Sequence, residues 1–262
     1  MGDTKSVLLS GTVGTLSINT TLYAYIIGFN HRSVNGITFQ GFKTAAAGDK
    51  STCLVSQYNN SNSTGLLSYF TINHWGSTSS PYNTNYSGWK GCDLRYDILG
   101  STDKAPSGYG ATATTSRTGY DASDTTATNP KTNTIMSCLP SKLRAVIQPM
   151  TVYTDNKGGS SNIAANVTTS VDYLPLLAEY EIFGYTTYAN TYEPNAQSQY
   201  IYYSSGNSKI NYQHTDTSGA AYWWCRSVRR DANYAFCDCS NTGAAHANAS
   251  RVSYGLAPIF LV

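Results

Sequence analysis

The chain has 262 residues, which is enough for a substantial hydrophobic core in one large domain or two small ones. Only 12% of the residues are charged and the net charge is +2, so the overall charge gives no reason to expect nucleic acid or an anionic membrane as a partner. The sequence shows no N-terminal signal and no apolar run of about 20 residues, so membrane insertion is not expected.

The N-terminal third is predicted to form short strands broken by glycines. The start, MGDTKSVLL, is abrupt and suggests the C-terminal part of a longer protein. Alternation of apolar and polar residues predicts strands over 7–9, 11–19, 20–29 and 36–42. In the third of these, Leu22, Ala24 and Ile26 share one face because strand side chains alternate.

The middle of the chain is predicted to contain helices between polar loops. Segments 56–87 and 101–131 are rich in Asn, Ser, Thr and Gly and read as loops, as does a turn over 155–161. Three- and four-residue apolar spacing or capping signals predict helices over 87–100, 135–147, 172–184 and 193–204, with a break at Pro140. Strands at both ends with helices between them, and no internal repeat, predict one α+β domain over 1–262.

The last forty or so residues, 221–262, contain two interleaved kinds of sequence. One kind is an apolar or turn-forming frame that includes Trp223, Trp224, Phe236, Gly255 and Pro258. The other is a run of Cys, Arg, Asp, Asn, Tyr, Ala, His and Ser with no hydrophobic period. Apolar and turn-forming residues that enclose a segment without hydrophobic periodicity are typical of a binding surface on a rigid scaffold.

Motifs for catalysis and cofactor binding are absent, so no catalytic residue and no cofactor is predicted. The sequence has no G-x-S-x-G elbow, H-E-x-x-H, phosphate loop or dinucleotide fingerprint. Cys237 and Cys239, with Cys225 and His246 as conceivable further ligands, could suggest a metal. Structural zinc usually uses C-x-x-C pairs, however, so no metal site is predicted.

Several motifs resemble one family of phage tail and bacterial surface proteins. The shared motifs are WWCRS from 223, SYGLAP from 253, GTVGTLSINTTLYAYIIGFNH from 11, GWKGCDLRYDILGST from 88, LPSKLRAVI from 139, VYTDNKGG from 152, VDYLPLLAEYEIFG from 171 and GNSKI from 206. They extend over nearly the whole chain. Val228 departs from the pattern, since the family commonly has Pro after Arg-Ser.

That family ends in a C-type-lectin-like domain and includes the targets of diversity-generating retroelements. The resemblance implies an α+β C-type-lectin-like fold and a receptor- or ligand-binding role on a virion or a bacterial cell surface. The implied partner is a cell-surface protein or glycan, without nucleic acid or membrane insertion, and a homotrimer would suit a tail tip. The implied domain is not an enzyme.

Diversification in that family substitutes adenines in AAC or AAT codons, and the resulting residues exclude Gln, Glu, Lys, Met and Trp. Residues 225–254 contain none of these five types, although four of the eight arginines lie there. The resemblance therefore implies a variable region over 225–251, in which Arg and Tyr would dominate the binding energy. The predicted ligand-binding residues are Cys225, Val228, Arg229, Arg230, Asp231, Asn233, Tyr234, Asp238, His246, Asn248 and Ser250. The predicted frame residues are Trp223, Trp224, Arg226, Phe236, Gly255 and Pro258.

Two alternatives remain open on the sequence. One is a fixed lectin that binds glycan through Asn, Asp and Tyr, with calcium. The other is an enzyme on a scaffold like that of the formylglycine-generating proteins, which would require reactive Cys237 or Cys239.

Overall fold

The computed structural model describes residues 1–14, 16–45, 50–59, 70–73, 84–86, 88–100 and 126–262. Strand residues, at 37%, outnumber helical residues, at 16%, so the fold is a β-rich form of the predicted α+β class. The strands are β1 (Thr4–Val13), β2 (Leu16–Phe29), β3 (Ile37–Lys43), β4 (Ser51–Cys53), β5 (Met150–Asp155), β6 (Val167–Asp172), β7 (Asn211–Gln213), β8 (Asp216–Ala221), β9 (Trp223–Val228), β10 (Ala235–Cys239), β11 (Ala245–Ala249) and β12 (Ile259–Leu261). The α-helices are α1 (Ile135–Cys138), α2 (Ser141–Arg144), α3 (Glu179–Phe183) and α4 (Ile201–Ser204).

The largest sheet joins the two ends of the chain. Its strand order is β1-β2-β3-β4-β7-β8, and β12 also pairs with β3. The β12–β3 pairing is antiparallel and places Phe260 opposite Phe39, whose rings stack with centroids 5.5 Å apart. The C-terminal residues are therefore fixed against the N-terminal third of the molecule.

The predicted N-terminal strands form, but their boundaries move. Residues 7–9 and 11–13 belong to one strand, β1, and β2 runs without a break through the positions predicted as two strands. Of the three residues predicted to share a face, Leu22 and Ala24 are buried and Ile26 is half-buried. Tyr25 and Ile27 on the opposite face are buried too, because α4 packs over that side of β2.

The predicted helices exist only as short segments. Residues 135–147 form α1 and α2 with a break at Pro140, as predicted. In 172–184 only α3 is helical, because Asp172 ends β6 and the backbone of Ala178, directly before α3, is extended. Residues 193–204 give a 3-10 turn (Glu193–Ala196) and α4, and 87–100 gives a π-helix over Leu94–Ile98. The predicted cap of that helix, Ser87, lies outside the described residues.

The pair β5–β6 was not predicted. Its sequences, MTVYTD and VTTSVD, offer few apolar residues, and the sequence indicated an exposed turn from Asp155. Asp155 is instead fully buried at the end of β5. Its carboxylate accepts hydrogen bonds of 2.9 Å from the amides of Lys157 and Gly158, which is how a short polar side chain organises a turn.

A second sheet, of order β11-β10-β9, separates two hydrophobic cores. Trp224, Val228 and Phe236 pack into one core, and Trp223 and Cys237 pack into the other. A buried Trp removes about 200 Å² from water, worth roughly 5 kcal/mol at 25 cal/mol per Å². Consecutive tryptophans therefore fix β9 from both faces.

Among the described helices, none combines the length and apolar character needed to cross a membrane.

Candidate functional site

The frame residues around the predicted binding region are buried, and their polar groups are hydrogen-bonded to residues far away in the chain. The guanidinium of Arg226 donates to the Glu181 carboxylate at 2.6 and 2.7 Å and to the carbonyl oxygen of Leu176 at 2.7 Å. Burial by itself acts to raise the pKa of Glu181, but the adjacent Arg226 charge holds that pKa below its usual value. This bidentate, buried pair fixes β9 against α3.

Two further frame positions depend on close packing. Trp224 Nε1 donates to the carbonyl oxygen of Phe70 at 3.0 Å, so this large side chain is buried without an unpaired donor. Gly255 lies so close to Cys53 that an added Cβ would fall 2.1 Å from its Sγ. These two frame positions therefore have little room for a different side chain.

The loop between β9 and β10, residues 229–234, is held by its backbone. Asn85 is fully buried, and its Nδ2 lies 3.2, 2.6 and 3.0 Å from the carbonyl oxygens of Arg229, Ala232 and Ala235. The Asn85 amide also donates to the carbonyl oxygen of Asn233 at 2.9 Å. Because these bonds use only main-chain atoms of the loop, they do not depend on the loop's side chains.

A second loop, residues 185–192, lies beside the first. The Glu179 carboxylate accepts hydrogen bonds from the amides of Thr187, Tyr188 and Ala189 at 2.8–3.2 Å. Burial raises the pKa of Glu179 to about 7, while these amide donors oppose the rise. The Arg230 amide donates to the carbonyl oxygen of Tyr188, and its Nη1 donates to that of Ala189 at 2.9 Å. The two loops are therefore joined.

The side chains of the first loop project outward. Asp231, Asn233 and Tyr234 are exposed, with 43% of Tyr234 accessible. The Arg229 guanidinium lies 5.3 Å above the Tyr188 ring and donates through Nε to Asp231 at 2.5 Å. The side-chain hydrogen bond to Asp231 raises the pKa of Arg229.

Strand β11 presents the other exposed residues. His246 faces Asp238 across the strand pair, and its Nδ1 lies 2.9 and 3.1 Å from the two Asp238 oxygens. Burial raises the pKa of Asp238 to about 6, and the hydrogen bond to Asp238 raises the pKa of His246. Asn248, two positions along, donates to the Tyr254 hydroxyl at 2.6 Å.

Two tyrosines outside the predicted set support this strand. The Tyr222 ring stacks on Tyr254 at 5.0 Å and packs edge-on against His246 at 5.2 Å. The sequence did not single out these residues or Asn85 as part of the site. For the two tyrosines, the signal in the sequence was the high tyrosine content. For Asn85 there was no signal, because it lies 144–150 residues from its hydrogen-bond partners.

Seven of the predicted ligand-binding residues are at least partly exposed, and we call them the candidate surface: Arg229, Arg230, Asp231, Asn233, Tyr234, His246 and Asn248. The other four require a correction, because Cys225, Val228, Asp238 and Ser250 are fully buried. Both faces of β9 are covered by core, which removes Cys225 and Val228 from the surface. Asp238 lies beneath His246, and Ser250 lies where its main chain bonds to Ile72 and Tyr234.

The candidate surface offers hydrogen-bonding groups, charged groups and aromatic rings to solvent. A buried carboxylate that orients a half-exposed imidazole also occurs in acid–base catalysis, but no Ser, Thr or Cys of the described residues is hydrogen-bonded to His246. The described residues likewise contain no group of three His, Cys, Asp or Glu side chains arranged to hold a metal ion. All six cysteines lie within the described residues, are buried and form no disulfide bond there.

Comparison with known proteins gives one family match. The model of a domain of unknown function, DUF6273, matches residues 51–262, which begins at β4 and includes the whole candidate surface. No curated protein and no solved structure matches the chain.

Proposed function

We infer the function of this chain, which belongs to the DUF6273 family, from the contrast between its buried frame and its exposed candidate surface. We propose that it is a non-enzymatic ligand-binding domain of the C-type-lectin-like class. Its surface would vary between copies of the protein and bind a cell-surface protein or glycan from a phage tail or a bacterial surface.

One observation carries the proposal: the loop with the exposed side chains is anchored through its main chain. The Asn85 side chain is within hydrogen-bonding distance of the carbonyl oxygens of Arg229 and Ala232 in this loop and of Ala235 at the start of β10. The carbonyl oxygen of Tyr234 accepts from the amide of Ser250. Substitution of Asn233 or Tyr234 would leave these bonds intact. A scaffold of this kind permits side chains to change while the backbone keeps its shape.

Two further features support the proposal. The C-terminal strand β12 lies antiparallel beside β3, an arrangement compatible with a C-type-lectin-like class in which strands from both ends pair. The composition of 225–254, which lacks Gln, Glu, Lys, Met and Trp, fits residues generated by adenine substitution. The candidate surface itself contains Arg and Tyr, which dominate interface energetics.

The enzyme alternative has less support. It needs a reactive thiol at Cys237 or Cys239, and both are fully buried. Burial raises the pKa of both thiols above the ordinary value, so the nucleophilic thiolate is disfavoured.

The test is deep sequencing of the codons for residues 223–260 in a population grown from one clone. We expect adenine-directed substitutions at the seven candidate-surface codons. The codons for Trp223, Phe236 and Gly255 serve as internal controls and should remain fixed.

Uniform codons across the population would contradict the variable-binder proposal. The fixed-lectin alternative would then be examined by glycan binding with and without a calcium chelator. Loss of glycan binding on chelation would support that alternative.

A further inference from the structure

Strand β1 lies at one edge of the largest sheet, so only β2 pairs with it. The antiparallel register of the two strands is unbroken over the whole of β1. The carbonyl oxygen of Asp3, just before β1, accepts from the amide of Ile26 at 2.9 Å. Because bonding alternates along an antiparallel pair, the odd-numbered residues of β1 bond to β2. The even-numbered residues point their N–H and C=O groups away from the sheet.

These outward groups are covered at one end of β1 and open along its middle. At the covered end, Cys138 Sγ of α1 donates to the carbonyl oxygen of Thr12 at 3.5 Å. Along the middle, the main-chain groups of Ser6, Leu8 and Ser10 have no hydrogen-bond partner within the described part of the chain. All three residues are exposed, Leu8 to 50%. We call residues 6–10 the open edge.

The open edge lacks the features that normally prevent one sheet edge from pairing with another strand, which are proline, bulges and several charges. The sequence of β1, TKSVLLSGTV, has no proline and a single charged residue. The opposite edge of the sheet, β8, is protected. Its register with β7 contains a bulge, its first residue is the exposed Asp216, and Lys50 Nζ donates to the carbonyl oxygen of Thr217 at 3.1 Å. Of the two edges, β1 is therefore the one suited to pairing.

We propose that the open edge is a dimer interface, at which two copies of this chain pair β1 with β1 in antiparallel orientation. The twofold axis passes beside Leu8, because the free main-chain groups run from Ser6 to Ser10 and Leu8 is at their centre. Leu8 then faces Leu8 of the second copy, and Ser6 faces Ser10 of the second copy. Each facing pair exchanges two main-chain hydrogen bonds. The inference goes beyond the proposed ligand-binding function and does not rest on it.

The sequence of the open edge fits a second copy of itself, as a twofold contact requires. In this register Val7 lies opposite Leu9 of the second copy, so apolar residues meet. The charged residue of the strand, Lys5, lies opposite Gly11 of the second copy, so like charges do not face each other. Pairing of β1 with β8 of another copy, which could build a ring, would require the bulged, lysine-bonded edge of β8 to open. Because the twofold pairing uses the open edge of both copies, assembly stops at the dimer.

The experiment is sedimentation equilibrium of the full chain from about 10 µM to about 1 mM, because an interface of one strand pair is small and weak. We expect the mass to approach twice that of the chain. Leu8→Lys and Leu8→Glu each place like charges opposite each other at the twofold axis, so each should weaken association at least tenfold.

An equimolar mixture of these two variants tests the register itself. Opposite charges then face each other, so association should return to within about threefold of the wild type. The matched control is Val171→Lys, which changes an apolar side chain that is 42% exposed on β6 and should alter association less than twofold.

Amide hydrogen exchange followed by NMR locates the contact. The amides of Ser6, Leu8 and Ser10 should exchange at least threefold more slowly at 1 mM than at 10 µM, whereas those of Val7 and Leu9, already bonded to β2, should not change. Far-UV circular dichroism confirms that each variant is folded.

A monomer over the whole concentration range would overturn the proposal and leave the open edge to a strand of another protein. A trimeric mass would overturn it in favour of pairing between β1 and β8. A dimer that Leu8→Lys does not weaken would place the interface elsewhere on the molecule and would also overturn it.

Discussion

The side-chain amide of Asn85 lies 2.6 Å from the carbonyl oxygen of Ala232, although the two residues are 147 positions apart in the chain. Asn85 is fully buried and its Oδ1 accepts from the amide of Gly159 at 2.9 Å. One fixed side chain therefore links the exposed loop to the turn that follows β5.

Replacement of Asn85 should loosen that loop. Asn85→Ala removes the side-chain donor to the carbonyl oxygens of Arg229 and Ala232 and the acceptor of the Gly159 amide. At about 1–3 kcal/mol for each unsatisfied group, we expect a loss of roughly 3 kcal/mol in the free energy of unfolding. Asn85→Asp, which retains an acceptor for Gly159 but cannot donate, should destabilise as strongly. Urea unfolding measures both.

The control for this prediction is Asn162→Ala. Asn162 is exposed and bonds only to the neighbouring loop residue Thr191 among described partners, so its loss should cost less than about 1 kcal/mol. Equal effects at Asn85 and Asn162 would contradict the anchoring role.

The buried Arg226–Glu181 pair should be far more important to stability than the exposed Arg229–Asp231 pair. Arg226→Met leaves the Glu181 carboxylate in the core without its countercharge and with only the Ala178 amide as a hydrogen-bond donor among the described residues. The loss of one partner of a buried ion pair typically costs about 3–5 kcal/mol. Asp231→Ala removes a partner whose side chain is 61% exposed, for which less than 1 kcal/mol is expected. A double-mutant cycle with Glu181→Leu separates the pair energy from desolvation.

Substitutions in the candidate surface should change the stability of the fold much less than substitutions in the frame. Tyr234→Ala removes an exposed side chain and should change the free energy of unfolding by less than about 0.5 kcal/mol. Phe236→Ala, two positions away and fully buried, should cost about 3–5 kcal/mol because it leaves a cavity. Similar losses at both positions, measured by thermal unfolding, would show that the loop is structural.

Stability should depend on pH through the Asp238–His246 pair. Both groups have a raised pKa in the folded state, so the folded chain holds more protons than the unfolded chain. Their contribution is fully present below pH 4 and decreases as the pH rises through about 6 and then past the pKa of His246. For Asp238 the difference is on the order of 3 kcal/mol.

Comparison with Asp238→Asn isolates this contribution from other groups such as Glu179. The stability of the wild type relative to the variant should fall between pH 4 and pH 8 in guanidinium unfolding. A flat or rising difference would mean that the buried carboxylate is ionised at low pH as readily as in the unfolded chain.

The cysteines should be inert to thiol reagents while the protein is folded. Burial raises the pKa of Cys53 to about 12 and the pKa of Cys225 and Cys237 well above the ordinary value. Reaction with a disulfide reagent at pH 8 should therefore be slow in buffer and fast in denaturant. Fast labelling of native Cys237 or Cys239 would reopen the enzyme alternative, and Cys237→Ser would test it.

The sequence by itself determined the residues that form the frame. Trp223, Trp224 and Phe236 are apolar and large, and Gly255 and Pro258 restrict the backbone, so their burial follows from residue type. Pro140 marked the helix break for the same local reason. The exposed loop was also readable, because residues 229–234 lack any hydrophobic period.

The tertiary structure decided which filler residues reach solvent and what holds them. Val228 is buried because it packs into a hydrophobic core, and Ser250 is buried where its main chain bonds to Ile72 and Tyr234. Residue type alone does not predict either burial. The helices are shorter than predicted because contacts with residues distant in the chain, such as that of Arg226 with Glu181, determine where α3 packs. The contacts of Asn85, Glu179 and Tyr222 join residues distant in sequence, and such contacts depend on how the chain folds in space and not on any local pattern.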